Sequence, residues 1–235
     1  MSAGEPNATP STDDAASVGA KIVVWDIPTR LFHWLAVALI VAAYATSRST
    51  SMDWHTRAGE ALLAVLLFRL LWGVFGSQTA RFSSFLASPR AAARHLGRLL
   101  RREPDRQVGH NPAGGWMVLL LLALMLGETL SGLYVGKDIA EEGPLSERVP
   151  AAVANLIDAL HDRYLWDALL VAIAMHLCAI LAYAALKRHN LLKPMITGRK
   201  TLPAGTSPPR LESAGRALLL LACGVAATIA LVESL

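Results

Sequence analysis

Residues 161–186, HDRYLWDALLVAIAMHLCAILAYAAL, decide how the rest of the chain is read. From Tyr164 onward the stretch carries one formal charge, Asp167, and it exceeds the ~20 apolar residues that cross a bilayer. Runs of the same character occur at 31–47, 61–75 (with Arg69 inside), 115–135 and 217–232. The second can begin as early as His55 and end near Gly76, so five spanning helices are expected. The composition agrees: of 235 residues 54% are hydrophobic and only 17% charged, where a soluble domain carries about 25%. The expected architecture is an all-α integral membrane protein, a four-helix transmembrane bundle with a fifth C-terminal transmembrane helix.

The net charge of +4 is unevenly placed. Arg81, Arg90, Arg94, Arg98, Arg101, Arg102 and Arg106 lie between spans 2 and 3. Lys187, Arg188, Lys193, Arg199, Lys200, Arg210 and Arg216 lie between spans 4 and 5. The other connections carry Arg48, Arg57, Lys137 and Arg148, the last two diluted by Asp138, Glu141, Glu142 and Glu147. The positive-inside rule then places the N-terminus in the cytoplasm. Attraction to anionic lipid accounts for this charge, and no nucleic acid is implied. Residues 1–20 are polar and lack an apolar core, which predicts a disordered cytoplasmic tail rather than a signal peptide. Arginines four residues apart in 88–106 predict a basic amphipathic helix at the interface. Asn111-Pro112 predicts an N-cap for span 3, and all six tryptophans near span ends predict an aromatic belt. Residues 201–235 read as a linker and the last helix.

Two cysteines, Cys178 and Cys223, lie in apolar runs. They exclude a disulfide framework, a four-cysteine metal site and a covalent CxxCH haem motif. The histidines carry more. His33 and His55 lie near the starts of spans 1 and 2, His161 begins span 4, and His176 sits deep within it. An imidazole in hydrocarbon faces a partner or a cofactor. Antiparallel topology puts His33 at the depth of His176, and His55 at the depth of His161. Fifteen residues of helix separate His161 from His176, ~22 Å of rise and about 60° of rotation, so both face one side.

Two imidazoles meeting at each depth suit six-coordinate haem b, whose task is electron transfer. Gly59, four residues after His55, and Gly127, Ser131, Gly132 and Gly136 on span 3 are small enough to admit a porphyrin, although helix packing also explains them. Arg30, Arg57 and Arg69 are the candidate cations for haem propionates. His33 lies so near Arg30, and His176 so far from Lys187, that the Lys187 end of helix 4 is expected to extend or bend. A tetrahedral zinc site does not fit pairs about 20 Å apart. A proton- or metal-linked transporter using Glu128, Asp167 and the histidines is the competing class. His95 and His189 read as solvated interface residues. His110 admits a role in helix geometry or a contact with a quinone or propionate.

The motifs VWDIPTRLFHW (24–34), MDWHTRAGEALL (52–63), FRLLWGVFGSQTARFSSF (68–85), GHNPAGGWMVLLLL (109–122), LSGLY (130–134), HDRYLWDALLVAIAMH (161–176) and MITGRK (195–200) resemble the bacterial di-haem cytochrome b family. That family is related to cytochrome b561 and to the b-type subunits of nickel–iron hydrogenase and formate dehydrogenase. The resemblance covers residues 21–200, a di-haem transmembrane domain. It implies two haems b, one on His33 with His176 and one on His55 with His161, with iron as the metal. It also implies a respiratory electron carrier of the bacterial inner membrane that links the quinone pool to a redox partner, a periplasmic c-type cytochrome or a dehydrogenase or hydrogenase. Quinone oxidoreductase activity is the enzymatic form of that role. Asp162-Arg163 stand where the family often has Glu-Trp, and the fifth span lies beyond the family core, with packing or partner docking as its expected role.

Overall fold

The computed structural model describes residues 19–48, 52–98, 101, 107–136 and 143–233. The tail up to residue 18, Arg102 and Arg106 of the first basic loop, and Lys137, Asp138, Glu141 and Glu142 lie outside the described residues. Among the described residues five helices are long and apolar enough to cross a membrane: α1 (Ile27–Ser47), α2 (Met52–Phe75), α4 (Pro112–Gly132), α5 (Ala151–Lys187) and α7 (Ala214–Glu233). Among the shorter helices in the connections are α3 (Pro89–Gly97) and α6 (Leu192–Thr197).

Local chemistry sets the boundaries. Asp26 caps α1 by accepting from Thr29 N at 2.7 Å, ahead of a proline in the first turn. Asn111 caps α4 in the same way, accepting from Gly114 N at 2.8 Å as its sequence predicts. Ser88 caps α3, which ends at Gly97; residues 99, 100 and 102–106 of the expected basic segment lie outside the described residues.

Helix α5 differs most from the apolar run that announced it. It begins at Ala151 rather than near Tyr164, because residues 151–160 are themselves helix-forming and their one buried carboxylate, Asp158, accepts a hydrogen bond from Gly136 N at 3.1 Å. Two π-helical segments interrupt it, Leu160–Leu165 around His161 and Tyr183–Lys187 at the far end. A π turn is wider than an α turn, so the rotation between His161 and His176 departs from the regular-helix figure. The expected change at the Lys187 end is present as that second π segment.

Helix α2 is the most enclosed, with half of its most apolar window buried. The main core joins Ala36 of α1, Leu62, Val65 and Leu66 of α2, Leu122 and Met125 of α4, and Leu169 of α5. By sequence position this layer falls between the two histidine depths. The exposed leucines and valines of α5 and α7, Leu170, Val171, Leu181, Leu218 and Leu219 among them, are the surface a membrane solvates.

The fifth span is part of the bundle. Gly224 lies so close to α2 that an added Cβ would stand 2.8 Å from Ala64 O and 2.9 Å from Phe68 N. Its approach is clamped by Glu212, which pairs with Arg81 at 3.0 Å and Arg216 at 2.7 Å and whose N–H donates to Ser77 Oγ.

A two-stranded antiparallel sheet, β1 (Ala20–Val23) with β2 (Arg199–Leu202), closes one end. Four-residue strands leave too little alternation to be read in advance. The sheet draws Ala20 out of the expected tail, and Thr201 and Leu202 out of the expected linker. Gly198, at φ 75°, turns the chain into β2 while its carbonyl accepts from Val24 N and Trp25 N. A Cβ there would stand 2.8 Å from Trp25 O, so both the conformation and the space call for glycine.

The aromatic belt is narrower than expected. Trp34, Trp54 and Trp116 are exposed, but Trp25 and Trp72 are buried. Trp72 is an interior residue because its indole N–H donates to Asp26 Oδ2 at 3.1 Å, which satisfies its one polar group.

Candidate functional site

The four histidines on the spanning helices meet in the pairs that depth predicts. The rings of His33 and His176 have centroids 6.5 Å apart, and those of His55 and His161 6.1 Å. Two metal–imidazole bonds of about 2 Å each, with the ring half-widths added, separate centroids by about 6 Å.

At the second pair the surroundings fix the tautomers. His55 Nδ1 lies 2.8 Å from Ala43 O, and His161 Nδ1 lies 3.0 Å from Glu128 O and 3.1 Å from Ser131 Oγ. A carbonyl oxygen only accepts, so each Nδ1 carries the proton and each Nε2 keeps a lone pair for a metal. The pair faces a cavity of about 360 Å³ whose walls include Ile40, Gly59, Leu62, Gly132 and Trp166. Nothing lies within 4 Å of the Cβ position of Gly59, so it opens onto space. Gly132 does the opposite: a Cβ there would stand 3.0 Å from His161 Cε1. Gly132→Val is expected to push the His161 ring out of line and to lower the haem bound per protein. Unchanged haem content would show that the ring has other room to move.

The first pair is set among orphaned polar atoms. His33 Nδ1, Thr29 Oγ1, Arg30 Nε, Arg69 Nη1 and His110 Nδ1 are all buried without a hydrogen-bond partner. Buried donors in that state mark a place shaped for a polar ligand. Arg69 is 2% exposed and does not snorkel; its guanidinium lies between the rings of Phe32, at 6.0 Å, and Phe82, at 5.2 Å.

The other sequence candidates divide. Arg30 reaches this end of the bundle, but its Nη1 donates to Ile196 O at 2.7 Å, which ties α1 to the turn before β2. Arg57 is exposed, lies over the Trp54 ring at 5.3 Å, and is not on the cavity wall. The arginine on that wall is Arg48, with its guanidinium 5.4 Å from the Tyr44 ring. Its position at the end of span 1, one connection away from His55, was the available signal. Glu128 is on the wall, whereas Asp167 is exposed and is not.

His95 is not a solvated residue: its Nε2 is hydrogen-bonded to the buried Tyr183 hydroxyl at 2.5 Å, which pins α3 to the π-helical end of α5. His110 is sandwiched between Trp25, at 4.6 Å, and Phe85, at 4.7 Å. Burial above all, then the charges of Arg69 and His176, push its imidazole down to about 3. The unfolded chain takes up a proton near the ordinary value of 6.5, which the folded His110 refuses until about 3. Stability from this residue is therefore complete above 6.5 and is lost as pH falls below it. Melting temperature measured from pH 7 to pH 4 is expected to fall less steeply in His110→Phe than in the parent; parallel profiles would contradict this.

Among the described residues no three of His, Cys, Asp or Glu converge on one point, so each site offers a donor set of two imidazoles. That set suits an iron held in a porphyrin ring, which supplies the remaining ligands itself. Imidazole pairs facing each other between apolar helices define a class of protein, the membrane b-type cytochrome, which transfers electrons. The chain belongs to the prokaryotic cytochrome b561 family, whose model matches residues 24–198. It is 24% identical over 226 residues to a probable Ni/Fe-hydrogenase B-type cytochrome subunit of Cupriavidus necator, a match covering 81% of this chain and 93% of that one. A protein of the same description from Bradyrhizobium diazoefficiens is 25% identical over 213 residues, covering 76% and 85% respectively. No solved structure matches the chain. It is a multi-pass bacterial membrane protein of the haem b kind, acting with a redox partner.

Proposed function

We propose that the chain carries electrons through two haems b, one held by His33 and His176 and the other by His55 and His161, between the quinone pool and a redox protein. The observation that carries this reading is the geometry of the second pair. Two imidazoles 6.1 Å apart, each with Nδ1 committed to a backbone carbonyl, present two Nε2 lone pairs to one cavity. The first pair has the same spacing within 0.4 Å and adds the orphaned donors of Arg69, Arg30 and Thr29, which suit the propionates of a haem there. At the second site Arg48 takes the propionate role and Gly59 gives the ring its space. Haem b, when bound, holds one electron at its iron.

The chain's own residues do the rest. The four imidazoles would hold the two haems, and the apolar layer of Leu62, Leu66, Leu122 and Leu169 would keep water from the space between the sites. In this reading the N-terminus, β1, β2 and the His33–His176 site face the cytoplasm and the His55–His161 site the other side, the orientation that the basic connections favour. The redox partner is a hydrogenase, as the names of the two relatives suggest, or another of the partners that the motif resemblance implies, a dehydrogenase or a periplasmic c-type cytochrome. The test is a reduced-minus-oxidised spectrum of membranes containing the protein, taken before and after a short-chain quinol is added. Quinol is expected to reduce the b-type bands. Bands that respond to dithionite but not to any quinol would remove the quinone from this reading.

A further inference from the structure

Positive charge gathers where α3 meets the Lys187 end of α5, away from the histidine pairs. Residues 168–211 carry six lysines and arginines and no Asp or Glu, and residues 76–102 carry six arginines and none either. Of the carboxylates next along the chain, Glu103 and Asp105 lie outside the described residues, Glu212 is paired with Arg81 and Arg216, and Asp167 is about five helical turns from Lys187. At the junction the buried Tyr183 of the second π segment is hydrogen-bonded through its hydroxyl to His95 of α3, and its ring centroid lies 5.8 Å from the Lys187 ammonium. Lys187 is 7% exposed, and among the described residues its ammonium has neither a carboxylate nor a hydrogen-bond acceptor.

The junction stands at the level of lipid headgroups. Trp116, in the first turn of α4, is exposed, and its indole N–H donates to Ala87 O, one residue before the N-cap of α3, so α3 starts at the depth where interfacial tryptophans sit. Lys187 ends a spanning helix, about 16 Å along the axis from His176 and outside that site. Helix α3 turns Ala92 and His95 toward the bundle and leaves Arg90, Arg94 and Arg98 exposed. A cation with a buried stem and no counter-charge calls for an anion, and at this depth the available anion is a phospholipid phosphate. Free phosphate matches the charge alone. The exposed Leu177 and Leu181 of α5, toward the membrane interior from Lys187, offer a surface to acyl chains as well.

We propose that the junction of α3 with the Tyr183–Lys187 end of α5 binds one anionic phospholipid, its phosphate held by Lys187 and by Arg94 and Arg98, the arginines nearest to His95 along α3. The lipid is a diacyl one with a net negative headgroup, of the phosphatidylglycerol kind. A zwitterionic headgroup would bring its own cation into a region that already holds an excess of them. One phosphate shared between a buried lysine and the arginine face of α3 fastens that helix to the end of α5, beside the bond between His95 and Tyr183.

Native mass spectrometry of the purified protein, released from mixed micelles holding equal phosphatidylglycerol and phosphatidylcholine, tests it. The parent is expected to retain one phosphatidylglycerol in preference to phosphatidylcholine. Lys187→Met is expected to lower that preference roughly fivefold, the worth of one cation near an anionic headgroup. Arg210→Gln removes the same charge from an exposed residue whose backbone is tied to Gln78 instead, and is expected to leave the preference in place. Equal retention of the two lipids by the parent, a Lys187→Met preference equal to the parent's, or an Arg210→Gln loss as large as that of Lys187→Met overturns the site. Excess glycerol 3-phosphate is expected to leave the lipid bound; displacement would mark a site for soluble phosphate and overturn the lipid assignment. If Lys187→Met fails to fold, Arg94→Gln combined with Arg98→Gln decides: a lowered preference is expected, and an unchanged one overturns the proposal.

Discussion

His176→Ala is expected to release one haem and keep the other, halving the haem bound per protein. The substitution removes one of two axial imidazoles from a site whose remaining polar atoms, Arg69 Nη1 and Thr29 Oγ1 among them, cannot replace it. His33→Ala is expected to remove the same haem, because its ring stands 6.5 Å from that of His176. His55→Ala and His161→Ala are expected to remove the other, their rings being 6.1 Å apart. By sequence position the two pairs lie at different depths of the bundle, so the two losses are expected to be independent. Low-temperature difference spectra of the four variants read this directly. If His33→Ala and His55→Ala remove the same component, the pairing is wrong.

Gly224→Leu is expected to have the largest effect on stability, about 1–3 kcal/mol from overpacking alone. The atoms that a Cβ would meet, Ala64 O and Phe68 N, are backbone atoms of α2 and cannot swing aside. Helix α7 must therefore move away from α2, opening the packing of Phe68 and Trp72 against Ala217 and Leu221. A fall in melting temperature in detergent is expected for Gly224→Leu. Leu218→Ala, on a residue 66% exposed on the same helix, is expected to change it little. Equal shifts in the two variants would mean that α7 is held by its Glu212 clamp rather than by the close approach at Gly224.

The helices and the histidine pairs were legible because each rests on a rule with little freedom. Hydrocarbon excludes charge, so long apolar runs mark spans, and a fixed rise per residue turns sequence position into depth. His33 and His176 meet for that reason although 143 positions separate them in the chain. The start of α5 was illegible because Asp158 and Asp162 look like loop residues until Gly136 N is seen bonded to the first of them. The arginines were legible only in part. Arg69, about two turns from a helix end, could equally have snorkelled to the surface and is buried instead, and the long, flexible side chains of Arg48 and Arg57 could each have turned toward the cavity, where sequence spacing favoured the one that turned away. Trp72 was misplaced in the belt because its partner, Asp26, is 46 residues away.

The central claim is that each pair of imidazoles holds one haem b. The ratio of haem b to polypeptide in the purified protein, with haem measured as its pyridine complex and protein by amino-acid analysis, tests it most directly. The account predicts two haems per chain, and a ratio of one, or none, would contradict it.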